Sequence, residues 1–183
     1  MDSIRAHYAA KLAEHGHTAE GVGWRDTRSQ VDRFRALRLL FVNDFDYTVN
    51  DWGCGYGEFR NWIDPKQYTG YDIVPQEGLG DEFVLSDKPT KIADYTVASG
   101  LFNVMDRPRE EWCDYVCGCI FLMDAMSRKG YGFNFLHDRA DRKEEGLFYT
   151  YPAWVLTCTP ARSRVSILEY YSPWDFTILV NKC

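Results

Sequence analysis

The residues of this chain best suited to bind a ligand are three glycines at alternate positions, Gly53, Gly55 and Gly57, in the segment Asp51–Gly57. Glycine lacks a Cβ, so such a segment turns sharply and brings its backbone N–H groups close to a ligand. An apolar stretch before it is typical of a strand, and Asp72 ends the next apolar stretch about 20 residues on. A carboxylate at that place hydrogen-bonds ribose hydroxyls, so the spacing predicts a nucleoside site.

The acidic residue at the start of this segment narrows the class of ligand. A dinucleotide site reads G-x-G-x-x-G, whereas here the third glycine comes one residue early and Asp51 lies two residues before the first. A carboxylate at Asp51 would repel a pyrophosphate, but it suits a ligand that carries an ammonium and a sulfonium group. The alternative is an ordinary strand-to-helix turn with no ligand.

The pattern D-x-G-x-G-x-G, followed by a strand that ends in Asp, resembles the first two motifs of class I S-adenosylmethionine-dependent methyltransferases. The segment Ala93–Asn103 is similar to their fourth strand and active-site rim. The resemblance covers nearly the whole chain, and it implies S-adenosyl-L-methionine as cofactor and S-adenosyl-L-homocysteine as product. Features typical of a group of small bacterial methyltransferases, mostly of unassigned substrate, are Gly23–Trp24, Gln30, Arg33, Phe34, Tyr149–Pro152 and Asp175–Thr177.

The resemblance also implies which residues contact the cofactor. Ser99 and Gly100 end the predicted fourth strand, where parallel sheets place ligand contacts, unless they form a plain turn. Arg33 is expected to pair the methionine carboxylate, although helix-surface polarity explains Gln30 and Arg33 equally well. The full predicted set is Trp24, Gln30, Arg33, Asp51, Gly53, Cys54, Gly55, Gly57, Asp72, Ile73, Asp87, Ser99 and Gly100.

The acceptor side is predicted from residues that follow the later strands. His137 comes just after the fifth strand on the ligand side, beside Asp138, and is the general-base candidate because an alcohol or amine must lose a proton. An ordinary loop histidine is the alternative. The residues expected to line the acceptor pocket are Tyr8, Phe102, Asn103, Tyr149 and Tyr151. The alternatives are that Asn103 stabilises a turn and that the two later tyrosines pack over the sheet edge. No metal is expected.

Alternating strand and helix patterns position these residues and predict an α/β fold. We expect a Rossmann-like seven-stranded, mostly parallel sheet with an antiparallel C-terminal edge strand, helices on both faces and two N-terminal helices as a lid. The chain forms a single domain, with the lid or brace in residues 1–42 and the core in 43–183. Predicted helices span 2–14, 27–41, 109–128 and 152–159, and predicted strands span 48–52, 67–73, 82–85, 95–98, 132–136, 164–170 and 176–180. The connection 74–81 is too short for the usual crossover helix, so we expect a bare loop beside the adenine pocket, with Asp87 as the adenine contact.

The composition of the chain limits the classes of partner that we expect it to bind. A net charge of −6 over 183 residues gives no basic footprint for long nucleic acid, and 16% aromatic residues favour an aromatic-lined cavity. No apolar run is long enough to span a membrane, so we expect a cytoplasmic protein with a small-molecule acceptor, acting in biosynthesis. Cys113, Cys117 and Cys119 are expected to be buried free thiols. An RNA or protein acceptor, a non-catalytic binding role and a nicotinamide oxidoreductase are the alternatives.

Overall fold

The computed structural model describes residues 2–63, 67–75, 80–160 and 163–182. Within them, eight strands form one sheet, in the order β3-β2-β1-β4-β5-β8-β7, with a short β6 beside β5. The strands are β1 Val49–Trp52, β2 Tyr68–Asp72, β3 Phe83–Leu85, β4 Ala93–Ala98, β5 Ser127–His137, β6 Tyr149–Thr150, β7 Ser163–Leu168 and β8 Asp175–Lys182. The helices are α1 Asp2–His15, α2 Thr27–Arg38, α3 Arg109–Ala125 and α4 Pro152–Thr157, with 3₁₀ turns at Glu20–Val22, Glu58–Trp62 and Gly80–Glu82.

The sheet topology confirms the predicted fold class. Strands β1 to β5 run parallel, whereas β8 is antiparallel to β5, and β7 is antiparallel to β8 at the edge. The strand order reverses between β1 and β4, which pair with each other in the central part of the sheet. At such a switch point the connections leave in opposite directions, so the carboxyl ends of β1 and β4 open a crevice. The two-residue β6 adds an eighth strand to the seven that the sequence predicts.

Alternating side chains of β5 and β8 supply a core on each face of the sheet. On one face, Phe133, Phe135 and Phe176 pack with Trp112 of α3. On the other face, α2 lies so close that a Cβ added at Gly132 would be 3.3 Å from a Leu37 methyl carbon. The glycine therefore lets α2 sit tightly on the sheet, as a brace beside the crevice.

A buried ion pair joins α2 to the start of β8. The guanidinium of Arg33 donates to one carboxylate oxygen of Asp175 and also to the Ser29 carbonyl, at 2.8 Å. The second oxygen of Asp175 accepts from the Ser172 hydroxyl at 2.7 Å. Both charged side chains are at most 6% exposed. Since all these groups are desolvated, each ion depends on the other for compensation.

Replacing Asp175 with alanine is expected to lower the free energy of unfolding by about 3–5 kcal/mol, because the Arg33 charge stays buried without its partner. Urea titration followed by circular dichroism measures the change. The surface pair Arg35–Asp32, at 3.3 Å with Arg35 67% exposed, is the control, and Asp32→Ala should cost less than about 1 kcal/mol. Equal effects of the two substitutions would contradict the buried-charge explanation.

Predicted helix ends differ in the structure, since α2 ends at Arg38 and not at residue 41, and α3 ends at Ala125 and not at residue 128. The segment after the glycines, Glu58–Trp62, is a 3₁₀ turn. In the connection from β2 to β3, the described residues hold only the 3₁₀ turn Gly80–Glu82, which agrees with the absence of a crossover helix. Among the described helices, none has the length and apolarity that a membrane crossing requires.

The cysteines differ from the prediction at one position. Cys117 is joined to Cys158 in a disulfide, with their Cα atoms 5.0 Å apart, so the expectation of a free Cys117 is wrong. Cys113 and Cys119 are free, as predicted, but only Cys119 is buried, whereas Cys113 is half-buried. The disulfide forms because α4 places Cys158 against α3. The two cysteines are 41 positions apart, so no local sequence pattern indicates the pairing.

Candidate active site

The crevice at the switch point is the opening of a cavity of about 720 Å³. The glycine segment and Asp72 form its floor, and Tyr8, Val22 and Trp24 from the N-terminal segment form its roof. Its far end is made by residues that follow β4 and β5. Small-molecule sites usually measure about 300–1,000 Å³, so this volume is in the upper part of that range.

The glycine segment turns through conformations that other residues avoid. Gly53, Gly55 and Gly57 have φ angles of 75°, 55° and 78°. A Cβ on Gly55 would lie 2.7 Å from a methyl carbon of Val22, so only glycine lets the roof approach the loop here. Gly57 starts the following 3₁₀ turn and lies outside the cavity wall.

Two carboxylates, the buried Asp51 and the half-buried Asp72, make the floor of the cavity negative. Asp51 accepts a hydrogen bond of 2.8 Å from the Tyr68 hydroxyl, and burial raises its pKa to about 7. Asp72 accepts backbone N–H bonds from Gly55 at 2.8 Å and from Val74 at 2.9 Å, and burial raises its pKa as well. These bonds fix the Asp72 carboxylate and leave lone pairs for a ligand hydroxyl. The carboxylates of Asp51 and Asp72 together favour a cationic ligand.

The end of β4 forms a second contact surface. The Trp24 ring covers Gly100 so closely that an added Cβ there would be 2.4 Å from its Cη2. The Gly100 N–H donates to the Asn134 side-chain oxygen at 3.0 Å, which fixes this turn. The buried Ser99 hydroxyl has no hydrogen-bond partner within the described residues, and Ser99 lines the cavity. A bound ligand can supply that missing partner.

Gln30 and Arg33 line the cavity, and each side chain already has a hydrogen-bond partner within the protein. The Gln30 oxygen accepts from the Tyr56 hydroxyl at 3.0 Å. The Arg33 guanidinium lies 4.0 Å above the centre of the Trp24 ring and is paired with Asp175. Its charge is thus already neutralised, and contact with a ligand carboxylate stays a prediction.

The remaining predicted cofactor residues, Cys54, Ile73 and Asp87, also line the cavity. The Cys54 sulfur packs against Gly70, where it would be 2.8 Å from an added Cβ, and burial raises the pKa of the thiol. The Asp87 carbonyl accepts from the Trp52 indole at 2.9 Å, which anchors the segment after β3.

The expected acceptor residues divide into two groups. Tyr8, Asn103 and Tyr149 line the cavity. Tyr8 lies on the donor side near Asp72, and burial together with this carboxylate raises the pKa of the Tyr8 hydroxyl. Phe102 points the other way into the core, where its ring stacks on Phe135 at 5.0 Å, so it does not reach the cavity.

Tyr151 is likewise outside the cavity wall. It is 48% exposed at the start of α4, because the chain turns there from β6 into the helix. Tyr149, two residues earlier, faces the cavity. The aromatic pair therefore does not act as one wall.

The structure does not bring His137 to the cavity. Its Nδ1 lies 2.8 Å from the Asp138 carboxylate and its Nε2 lies 2.9 Å from the Glu169 carboxylate. The ring is buried and packs edge-on against Phe176, with a centroid separation of 5.2 Å. A general base needs a free nitrogen within hydrogen-bonding reach of the acceptor, and this ring has neither the position nor the nitrogen. His137 instead fixes the turn before β8.

Several cavity residues were missed from the sequence, among them Arg25, Tyr115, Asp141 and Trp174. Arg25 and Trp174 lack any local signal, because they meet only when the lid and the turn before β8 come together. Asp141 lies in the loop after β5. Tyr115 was the one that helical spacing could have found, since it lies three residues after the buried Trp112 on α3.

Comparisons with known proteins identify the family. A protein of Mycobacterium tuberculosis provisionally named a methyltransferase is 32% identical over an alignment of 164 residues that covers 79% of this chain and 99% of the relative. No family model matches the chain. With the fold, the glycine segment and the second acidic strand end in place, the chain belongs to the class I S-adenosylmethionine-dependent methyltransferases.

Solved structures agree on the fold. The chain is similar to the N-methyltransferase NodS from Bradyrhizobium japonicum, solved with S-adenosyl-L-homocysteine, at a TM-score of 0.70 and 13% identity over 97% of each chain. It is also similar to the magnesium protoporphyrin IX methyltransferase of Synechocystis with bound S-adenosylmethionine, at a TM-score of 0.64 and 14% identity over 100% of this chain and 96% of that one. At these identities the likeness establishes the architecture alone.

Proposed function

We propose that this enzyme transfers a methyl group from S-adenosyl-L-methionine to an oxygen or nitrogen atom of a small molecule. The observation that carries the proposal is the single cavity that runs from the glycine segment and Asp72 to the residues after β4 and β5 under the roof of α1. A covered cavity of this kind encloses a donor and a small acceptor together, whereas a long polymer needs an open groove.

The residues of the floor fit the donor. Asp72 would accept hydrogen bonds from the ribose hydroxyls, and Asp51 would face the ammonium group. Ser99 would gain the partner that it lacks within the protein. The negative floor suits a donor that carries two positive groups, an ammonium and a sulfonium.

Catalysis would then depend mostly on holding the two reactants in contact. When bound, S-adenosylmethionine supplies a methyl group on a positive sulfur, which the acceptor lone pair attacks in line while the carbon–sulfur electrons return to sulfur. Asn103 and Tyr149 would orient the acceptor, and the roof would exclude water. The carboxylates of Asp141, Glu144 and Glu145 line the same cavity and can receive the proton that the acceptor releases.

A metabolite screen with methyl-labelled donor tests the proposal. We expect label to move to a small molecule in the presence of the protein, and this transfer to be lost in Asp72→Ala. Label found only in RNA or protein, with salt-sensitive binding, would replace the small-molecule acceptor with a polymer. Tight binding of S-adenosylhomocysteine without any transfer would instead favour a non-catalytic binding role.

Affinity for S-adenosylhomocysteine is expected to fall as the pH falls through 7. Burial raises the pKa of Asp51 to about 7 in the free protein, so below this pH the carboxyl is neutral and no longer attracts the ligand ammonium. Calorimetric titration on both sides of pH 7 should show a decline that approaches about tenfold per pH unit on the acid side. Asp51→Asn is the control, and its weaker affinity should depend less on pH around 7 than that of the unaltered protein.

A further inference from the structure

Trp174, just before β8, forms part of the cavity wall on the acceptor side. Its indole Nε1 donates to the Asp141 carboxylate at 2.8 Å. Its backbone N–H donates to the Ser172 hydroxyl at 3.2 Å, and its carbonyl accepts from the His137 N–H at 2.7 Å. These bonds use the edge of the ring and the main chain, so they orient the indole while leaving its faces for stacking.

A guanidinium covers one face of this indole. The Cζ atom of Arg25 lies 3.8 Å from the centre of the Trp174 ring, which is a stacking distance. The Arg25 Nε donates to Asp26 at 3.0 Å, but the arginine side chain is 58% exposed. An exposed ion pair of this kind contributes little, so Arg25 can leave the ring at small cost.

The surroundings favour a flat ligand on that face. Three of the side chains lining the same end of the cavity are aliphatic, Val104, Leu136 and Leu147, and Tyr149 adds a second aromatic ring. A conjugated ring gains both burial among these groups and stacking on the indole, whereas a saturated ring of equal size gains burial alone. Arg25, itself planar, shows that a flat group fits against the indole.

We propose that Trp174 is an acceptor-binding residue and that the acceptor is a planar aromatic molecule stacked on the indole face that Arg25 covers. This inference rests on the proposed function, because it names the class of molecule that the cavity methylates. Stacking sets the plane of the acceptor ring, so its hydroxyl or amino substituent points along the cavity toward Ser99 and the glycine segment. Arg25 moves to the edge of the bound ring.

The experiment compares 2-naphthol, as the planar probe, with decahydro-2-naphthol, its saturated counterpart. Each is titrated by ligand-observed NMR against the full-length protein loaded with S-adenosylhomocysteine. We expect 2-naphthol to bind about tenfold more tightly than the saturated probe. Trp174→Ala should abolish this preference, Trp174→Phe should retain most of it, and Arg25→Ala should bind the planar probe at least as tightly as the unaltered protein.

Equal affinity for the two probes, or an unchanged preference in Trp174→Ala, overturns the assignment. Selective binding of tetramethylammonium over 2-naphthol also overturns it, because the indole face would then be a cation site. Calorimetry with S-adenosylhomocysteine separates the two levels of the argument. If the unaltered protein does not bind it, the proposed function fails too; if it binds and the planar probe is not preferred, only the acceptor class fails.

Discussion

Replacing Asp72 with alanine is expected to lower the affinity for S-adenosylmethionine and S-adenosylhomocysteine by about a hundredfold or more. The substitution removes the carboxylate that would accept two hydrogen bonds from the ribose hydroxyls, each contributing about 1.5–3 kcal/mol. It also frees the N–H groups of Gly55 and Val74, which the carboxylate fixes at 2.8 and 2.9 Å. The floor of the cavity would therefore lose both its ligand contact and its shape. Isothermal titration with either ligand measures the loss.

Two further variants separate the ribose contact from the shape of the floor. Asp72→Asn keeps the size of the side chain and one oxygen acceptor, so it should bind S-adenosylhomocysteine with intermediate affinity. Asp114→Ala, at an exposed aspartate on α3 that does not line the cavity, should bind like the unaltered protein. An Asp72→Ala protein that keeps its folded circular-dichroism spectrum and its full affinity would rule out the ribose role.

The fold and the donor half of the cavity could be predicted because their signals are local. Strands and helices follow from hydrophobic periodicity, and the glycine segment needs its positive φ angles within a few residues. Asp51 is the last residue but one of β1 and Asp72 ends β2, and the parallel pairing of the two strands brings these ends together. For these residues, the position in the sequence was therefore enough to predict the position in the structure.

The acceptor half could not be predicted in the same way, because it is assembled from distant segments. Arg25 meets Trp174 across almost the whole chain, and Asp141 joins them from the loop after β5. For His137, the position after a strand suggested a base, but the position says nothing about its neighbours. Glu169, 32 residues away, holds the ring outside the cavity.

Replacing Gly100 with alanine is expected to lower the affinity for S-adenosylhomocysteine by about a hundredfold. The residue has a φ of 80°, where a Cβ costs about 1–2 kcal/mol, and the added carbon would lie 2.4 Å from the Trp24 ring. That overpacking costs about 1–3 kcal/mol more unless the ring moves. Trp24 is buried and stacked on Arg33, so its displacement opens the roof of the cavity. Calorimetry of the purified variant measures the effect.

Gly118 provides the matched control, since a Cβ added there has no heavy atom within 4 Å. It lies within α3, where alanine is about 1 kcal/mol better than glycine, so Gly118→Ala should stabilise the protein and leave binding unchanged. A double-mutant cycle then tests the route of the effect. If the Trp24 ring transmits it, Trp24→Ala should bind as weakly with Gly100→Ala as without it, because no ring remains to displace. A further fall in the double variant would mean that backbone strain at the end of β4 acts on the ligand directly.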